Sequence, residues 1–282
     1  MKPLNNIIAP IDFSQSSINA LKYAVELAIE VGATLHVYHS FRIPAVSDTA
    51  YPIGGMYPET LVDFEEVKKE VQQQMEDIEI KYLSKAKLKY HTQVESGFVA
   101  ENIINKVNKD GIDLIVMGTR GTNALQKLFG STTTYVINHS DAPTLVIPKD
   151  TKFEEIESLI LASDYKSSSK SSTYDMLIKL ADVFHARIKV IHVHDAERKL
   201  ESSEIAAGEG LRRVINKVPH EFHFENDGLK LEEALESQVQ SQNKCMLVMV
   251  PHKHSLVDRI LHGSKTQNMI FKTQKPLLVL KE

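Results

Sequence analysis

The sequence predicts an α/β fold of two tandem domains, each a five-stranded parallel sheet with helices on both faces. Short apolar runs rich in β-branched residues alternate with longer amphipathic stretches, which is the pattern of parallel strands joined by crossover helices. The chain has 282 residues, a length that suits two domains of about 100 to 150 residues each. The pattern of the first half also recurs in the second, which indicates a tandem repeat.

The first half is predicted to alternate strictly between five strands and four helices. Its opening strand is the apolar run 7–11, which ends at Asp12. The helix after it has serines before its first turn, apolar residues at helical spacing and Gly32 at its end. The other predicted strands are 34–40, 90–95, 112–116 and 143–148, and the other predicted helices are 59–85, 99–109 and 132–138. Right-handed crossovers would gather the carboxyl ends of the strands into one crevice.

The stretch 117–132, MGTRGTNALQKLFGST, joins the fourth predicted strand to the helix that follows. Gly118 and Gly121 break the chain after the strand, and glycine can take positive φ and lets a ligand approach the backbone. Gly130 and Ser131 stand at the start of the helix, where unpaired N–H groups and the helix dipole favour an anion. The stretch predicts a cradle for phosphate groups, although an ordinary strand-to-helix loop uses the same residue types.

The spacing of these glycines differs from the Walker loop and from the dinucleotide-binding fingerprint. It resembles the G-x2-G-x9-G-[S/T] signature of the universal stress protein family. The matching residues are Gly118, Gly121, Gly130 and Ser131, with eight positions, 122–129, where the signature has nine. The resemblance extends over essentially the whole chain and is that of a tandem, two-domain member. It implies two Rossmann-like domains of the adenine nucleotide alpha hydrolase type.

The resemblance also implies a ligand, ATP, which Mg²⁺ can accompany. In the family, the aspartate after the first strand and the main chain after the second hold the adenine and ribose end. Here those residues would be Asp12 and Ser40 or Phe41. The residues implied for the ribose and phosphates are Met117, Gly118, Arg120, Gly121, Gly130, Ser131 and Thr132. Two plainer roles stay open, a helix cap for Asp12 and a solvated loop charge for Arg120.

The repeat predicts a first domain over residues 1–149, a polar linker over 150–156 and a second domain over 157–282. SLILASD, which ends at Asp164, echoes IIAPID, which ends at Asp12, and IHVHD echoes HVYHS. In this family domains usually pair through the last strand, here PTLVIP and PLLVLKE. We therefore expect the two domains to pair within the chain. A homodimer through helix 59–85 is a further option.

The two halves are not equivalent in the glycine motif. Val250 and Lys253 lie over the first two glycines, and only Gly263 and Ser264 remain of the signature. A valine or lysine does not readily take positive φ, and its side chain fills space that a phosphate would need. The sequence therefore predicts one competent nucleotide site, in the first domain. The second domain is expected to keep the fold and pack against the first; the alternative is that Lys253, His252 and Ser264 bind a smaller anion.

Composition excludes several other classes. The formal net charge is −4 with no long basic run, which argues against nucleic acid as a partner. The single cysteine, Cys245, lies in an apolar run and permits no disulfide within the chain. No apolar stretch approaches the length of a membrane span, so a cytoplasmic location is expected. The twelve histidines lack zinc-motif spacing, and no metal site is predicted.

The predicted function is a nucleotide-dependent stress-response or signalling module rather than a fast enzyme. No GxSxG elbow occurs, and no side chain is suggested as a dedicated catalytic base, so no catalytic residue is predicted. One alternative is an interaction protein that binds no nucleotide, because the loop after Gly121 is one residue short. A second alternative is a slow ATPase or another adenine-nucleotide enzyme. The protein partner is not indicated by the sequence.

Overall fold

A computed structural model describes most of the chain, and it contains ten strands and seven α-helices within the described residues. The described residues are 3–42, 64–119, 130–163, 165, 171–193, 202–225, 231–250 and 274–281. The strands are β1 Asn6–Pro10, β2 Thr34–Phe41, β3 Tyr90–Ser96, β4 Leu114–Gly118, β5 Thr144–Ile147, β6 Ser158–Ala162, β7 Arg187–Val193, β8 His220–Glu225, β9 Cys245–Met249 and β10 Leu277–Val279. The helices are α1 Gln15–Val31, α2 Phe64–Ile78, α3 Val99–Asp110, α4 Ser131–His139, α5 Asp175–Val183, α6 Ser202–Ile215 and α7 Leu231–Gln240.

All ten strands form one sheet in the order β3-β2-β1-β4-β5-β10-β9-β6-β7-β8. Each half contributes five mutually parallel strands, as the sequence predicts. The halves meet where β5 and β10 pair antiparallel, with Leu145 opposite Leu278. The last strands of the two halves therefore pair within the chain. The overall sheet is mixed because of this one antiparallel junction.

Helix α1 shows how local sequence sets an element. Ser14 caps its start, and the Ser14 side chain accepts a hydrogen bond from the Ser17 N–H. Gly32 ends the helix in the left-handed region, at φ 68°, and its N–H reaches the carbonyls of Ala28 and Ile29. That conformation is inexpensive for glycine and strained for residues with a Cβ. The helix predicted between these two signals is confirmed.

Two elements differ from their predictions. Strand β4 ends two residues later than the predicted 112–116, so Gly118 is its last residue and pairs with Ile147. Helix α2 continues as a π-helical segment, Glu79–Leu83, before the chain turns toward β3. The predicted first turn of that helix, 59–63, lies outside the described residues. Periodicity locates an element well, but hydrogen-bond pairing with neighbours decides where it stops.

The sheet carries a hydrophobic core on both faces. On one face, a single cluster contains residues of α1, α2, α5 and α6 and spans both halves; its members include Leu145 and Leu278, which pair across the junction. On the other face, one cluster belongs to the first half and includes Ile103 and Val136. A third cluster, on the same face, consists mainly of second-half residues. None of the helices in the described ranges is long and apolar enough to cross a membrane.

A charged cluster ties β7 to β8 at one end of the sheet. Glu221 accepts from Lys189 at 3.0 Å and lies 3.4 Å from the Arg187 guanidinium and 3.2 Å from His223. Burial raises the pKa of Glu221, but hydrogen bonds and charge from Lys189 and His223 outweigh it and bring the pKa to about 2. The ionised carboxylate therefore stabilises the folded state above its ordinary pKa of 4.5.

Substitution Glu221→Gln should lower the free energy of unfolding by about 1 kcal/mol at neutral pH, a value reduced for solvent screening. The folded-state pKa lies below the unfolded value, so the stabilisation is lost as pH falls from 4.5 toward about 2. Urea titrations from neutral pH to about pH 3 measure this difference. Glu209→Gln, in an exposed pair with Arg213 on α6, is the matched control and should change little. An equal, pH-independent loss in both variants would contradict the assignment.

Candidate functional site

A cleft of about 270 Å³ opens at the carboxyl ends of β1, β2 and β4, between the first turns of α1 and α4. Parallel strands present their carboxyl ends at one edge, and the change in strand order leaves a gap there. The cleft is bordered by Pro10, Ile11, Asp12, Ser14, Ser16, Ser17, Tyr38, Ser40, Val99, Ile103, Met117, Gly118, Thr119, Gly130, Ser131, Thr132 and Thr133. This is the edge at which the sequence predicts a ligand crevice.

Most of the predicted site residues meet in this cleft. Those that border it are Asp12, Ser40, Met117, Gly118, Gly130, Ser131 and Thr132. Phe41 does not border it; its ring is parallel to that of His39, with centroids 6.3 Å apart. Arg120 and Gly121 lie outside the described residues. Seven of the predicted residues therefore lie together at one cleft, and their role in ligand binding stays a prediction. The prediction for Ser40 or Phe41 concerned the main chain after the second strand, which the position of the Phe41 ring does not test.

Asp12 forms one wall of the cleft. Its Oδ1 accepts from the Ser14 N–H at 3.1 Å, and its own N–H donates to Ser17 Oγ at 3.2 Å. Burial raises the pKa of the Asp12 carboxyl, but hydrogen bonds from Ser14 and Ser17 outweigh it, so the pKa lies below its ordinary value. Asp12 therefore holds the serine-rich turn before α1, but the N-cap of that helix is Ser14 and not Asp12. Asp12 is nevertheless exposed, so its carboxylate can also accept a hydrogen bond from a ligand.

Gly118 is required by a close contact with the start of α1. A Cβ on Gly118 would lie 2.6 Å from the Ser16 carbonyl oxygen and 2.7 Å from Ser16 Oγ. The Ser16 hydroxyl in turn donates to the carbonyl of Thr119. Gly118 is not among the described glycines with positive φ, so a positive φ is not the reason for glycine at this position. Its lack of a side chain instead lets the helix start rest on the end of the strand.

The first turn of α4 also borders the cleft. Gly130 is the N-cap, at φ −62° and ψ 159°, and has no side chain to accept from the turn. The helical hydrogen bonding begins with Thr134 N–H donating to the Gly130 carbonyl at 2.9 Å. The N–H groups of Ser131, Thr132 and Thr133 precede this bond and have no intrahelical acceptor. A helix start of this kind can receive an anion.

The remaining wall combines polar and apolar side chains, of which only Ser40 is among the predicted site residues. The Tyr38 hydroxyl donates to Glu95 at 2.9 Å, and Ser40 Oγ accepts from Asn102 at 3.0 Å. Tyr38 and Ser40 are two residues apart on β2, so they share one face of the strand. That spacing was the available signal for Tyr38. Val99, Ile103, Thr119 and Thr133 come from elements whose approach depends on tertiary packing, which the sequence pattern did not specify.

The register of the sheet corrects the internal alignment of the repeat. Pro10 pairs with Tyr38 in the first half, and Ala162 pairs with Ile191 in the second. When the two halves are aligned on Asp12 and Asp164, His39 on β2 therefore corresponds to His192 on β7. The similarity of HVYHS to IHVHD predicts His194 at that position instead. The predicted echo was wrong by two residues because short apolar runs align equally well in several registers.

Both halves keep the same turn after their first strand. Phe13 and Tyr165 have positive φ, 59° and 55°. Their rings lie 4.4 Å from His39 and 4.1 Å from His192, respectively. Each histidine Nδ1 contacts a main-chain carbonyl of the first-strand turn, Ile11 at 2.7 Å and Ser163 at 2.9 Å. The repeat therefore preserves the scaffold of the cleft in three dimensions.

The second half differs from the first at three described cleft positions. The corrected register puts Ile191 and Val193 where the first half has Tyr38 and Ser40. Val250 stands at the position of Gly118, as the sequence predicts. Helix α5 begins only at Asp175, after a 3-10 turn, whereas α1 begins directly after the first-strand turn. Lys253, His252, Gly263, Ser264 and Asp164 lie outside the described residues, so the alternative of a smaller anion site there stays a prediction.

Metal-binding groups do not gather anywhere in the described ranges. No three His, Cys, Asp or Glu side chains lie close enough there to hold a metal ion. Cys245 is buried, and burial raises the pKa of its thiol. The ionisable side chains bordering the cleft in the described residues are Asp12 and Tyr38. Burial, followed by the hydrogen bond to Glu95, raises the pKa of Tyr38 above its ordinary range.

The chain is similar to universal stress proteins in both sequence and fold. The family model described as Universal stress protein family matches residues 3–148. Universal stress protein YxiE of Bacillus subtilis is 35% identical over 147 residues, which cover 51% of this chain and 98% of that relative. Universal stress protein Slr1230 of Synechocystis is 24% identical, over 99% of this chain and 100% of the relative. A solved structure of a universal stress protein from Archaeoglobus fulgidus has a TM-score of 0.68 at 18% identity, and the match covers 99% of this chain and 98% of that one.

Substitution Gly118→Ala tests the contact that shapes the cleft. The added Cβ meets main-chain atoms of Ser16, which cannot move without displacing α1, so we expect a loss of about 2 kcal/mol in the free energy of unfolding. Gly208→Ala is the matched control, because its Cβ would meet only the Tyr165 ring at 3.3 Å, and alanine is favoured in a helix by about 1 kcal/mol. Chemical denaturation of both variants measures the difference; similar effects would contradict the steric role of Gly118.

Proposed function

Because this chain belongs to the universal stress protein family, we propose that it binds ATP in the cleft of its first half and serves as a nucleotide-dependent stress-response or signalling module. The supporting observation is the pairing of two chemistries in one cleft. Both the exposed Asp12 and the first turn of α4, whose N-cap Gly130 has no side chain, border this cleft. A nucleotide carries hydroxyl and amino groups at one end and phosphates at the other, so it matches both walls.

The nucleoside end fits the side of the cleft formed by β1, β2 and α3. The apolar surface of Ile11, Val99, Ile103 and Met117 suits the face of a base. The lowered pKa of Asp12 keeps its carboxylate ionised at neutral pH, as an acceptor for a ribose hydroxyl or an amino group. The hydroxyl of Ser40 offers a further polar contact.

The phosphate end fits the α4 side of the cleft. The N–H groups of Ser131 to Thr133 and the helix dipole provide fixed positive potential. Ser131 and Thr132 add hydroxyl donors at the same wall. Arg120 would supply a charge-assisted contact from the glycine-containing loop. Mg²⁺ would accompany the phosphates and neutralise part of their charge. At about 270 Å³, the described cleft is close to the lower end of ligand pockets, about 300 Å³.

A binding module fits this cleft better than a fast enzyme. Neither Asp12, held by the start of α1, nor Tyr38, whose raised pKa keeps it neutral, is arranged as a dedicated base. Signalling by such a module would follow the difference between its nucleotide-bound and nucleotide-free states. One site per chain is proposed, because the corresponding second-half positions hold Ile191, Val193 and Val250.

Freshly purified protein should carry or bind close to one adenine nucleotide per chain. Denaturing the protein and separating the released small molecules by ion-exchange chromatography counts the nucleotide that co-purifies. Calorimetry with ATP and Mg²⁺ then gives the stoichiometry of the emptied protein. Two nucleotides per chain would show that the second half also binds. No nucleotide and no heat of binding would leave the interaction-protein alternative, and rapid release of phosphate would favour the enzyme alternative.

Substitution Asp12→Asn should weaken ATP binding by about tenfold or more, because it removes a charged acceptor. Asparagine keeps an oxygen that can accept from the Ser14 N–H, so the start of α1 should survive. Asp164→Asn is the matched control, since the repeat places Asp164 at the same position in the second half. Equilibrium titration with a fluorescent ATP analogue compares the two variants. Equal affinities would remove Asp12 from the proposed site.

A further inference from the structure

Helix α4 is shared between the two halves of the protein. Its first turn borders the candidate cleft, and its buried side chains enter two different cores. Val136 belongs to the first-half cluster, together with Ile103. Its neighbour Ile137 is 1% exposed and belongs to a different cluster. In that cluster only Ile137 and Val146 come from the first half, and the other residues come from the second. These include Ile160, Ala162, Leu235, Val239 and Leu247.

The second half also contacts the carboxyl end of the same helix. The Lys281 ammonium donates to the carbonyl of Ile137 at 2.7 Å, across 144 residues of sequence. Burial lowers the pKa of Lys281, while Asp141 opposes that shift. An ammonium at the last carbonyls of a helix satisfies an acceptor that has no intrahelical partner and complements the dipole. Lys281 therefore stabilises α4 at the end opposite the cleft.

The two ends of α4 are mechanically connected. The helix has nine residues, and a helix of that length spans about 13 Å as one hydrogen-bonded unit. A displacement of its last turn therefore shifts or frays its first turn. Strand β5, whose Val146 shares a cluster with Ile137 of α4, pairs with β10 of the second half. The second half therefore contacts both β5 and the carboxyl end of α4.

We propose that the second half positions the ligand-binding turn of the first half through α4, with Lys281 as the positioning residue. The proposal rests on the proposed function for the identity of the ligand, ATP. The degenerate half would then contribute to binding without a site of its own. Thermodynamic linkage requires the reverse effect as well, so ATP in the first half should strengthen the contact between Lys281 and α4.

The chain offers a matched control at the other end of β10. Lys275 also donates its ammonium to a main-chain carbonyl, that of Asn243. That bond stays within the second half, whereas the Lys281 bond crosses to the first. Lys275→Met and Lys281→Met therefore each remove an ammonium donor next to one end of β10, and methionine retains an unbranched apolar side chain in place of the lysine stem. Lys281→Arg retains a donor and should preserve most of the effect.

Hydrogen exchange and ATP titration on the full chain test the proposal. Lys281→Met should speed amide exchange of Thr134 and Tyr135, near the cleft, by about two- to fivefold, the factor expected for a charge at a helix terminus. It should also weaken ATP binding by about twofold or more. Lys275→Met should change neither quantity. Saturating ATP should slow exchange in the last turn of α4 in the wild type more than in Lys281→Met.

The outcomes separate this proposal from the proposed function. Faster exchange confined to residues 137–140, with unchanged ATP affinity, would reduce Lys281 to a local cap and overturn the positioning role. Equal effects of Lys275→Met and Lys281→Met would overturn it too. If the wild type does not bind ATP, the proposed ligand is wrong. The rate of amide exchange at Thr134 would then be the remaining test of whether Lys281 affects the first turn of α4. Acceleration there by Lys281→Met, reversed by Lys281→Arg, would still support it.

Discussion

The antiparallel pairing of β5 with β10 is the constraint on which the rest of the architecture depends. It joins two five-stranded parallel sheets edge to edge, so neither half leaves its last strand with unpaired backbone groups. It also keeps equivalent faces of the two halves on the same side. Leu145 and Leu278 both enter the core that spans the halves, whereas Val146 and Val279 both enter the cluster on the opposite face. A helix of one half can therefore pack into the core of the other.

Within the first half, the cleft depends on how closely α1 approaches β4. The contact between Ser16 and Gly118 brings the serine-rich turn and Asp12 beside the end of the strand. The same edge receives α4, whose glycine cap leaves its first N–H groups open. The described part of the cleft thus combines main-chain groups placed at short range with one charged side chain, that of Asp12.

Much of this could be predicted from the sequence, for reasons that differ between elements. Helix α1 was predictable because Ser14 and Gly32 mark its ends locally. The parallel sheets and the repeat followed from periodicity, and the glycine motif located the cleft. The register of β7 and the end of β4 were missed because strand register depends on partners distant in sequence. Ser16 and Lys281 act through tertiary contacts that no local pattern records, and the only local signal for Tyr38 was its two-residue spacing from Ser40.

The fusion of the two halves changes what a single substitution can do at their junction. In a symmetric dimer joined by this same pairing, every mutation would appear on both sides of the axis at once. Here the pairs that flank Leu145 and Leu278 already differ, Thr144 with Val279 on one side and Val146 with Leu277 on the other. Each position can be inherited and altered independently. One copy can therefore change the residues at its own cleft positions, here Ile191, Val193 and Val250, without any change in the other copy.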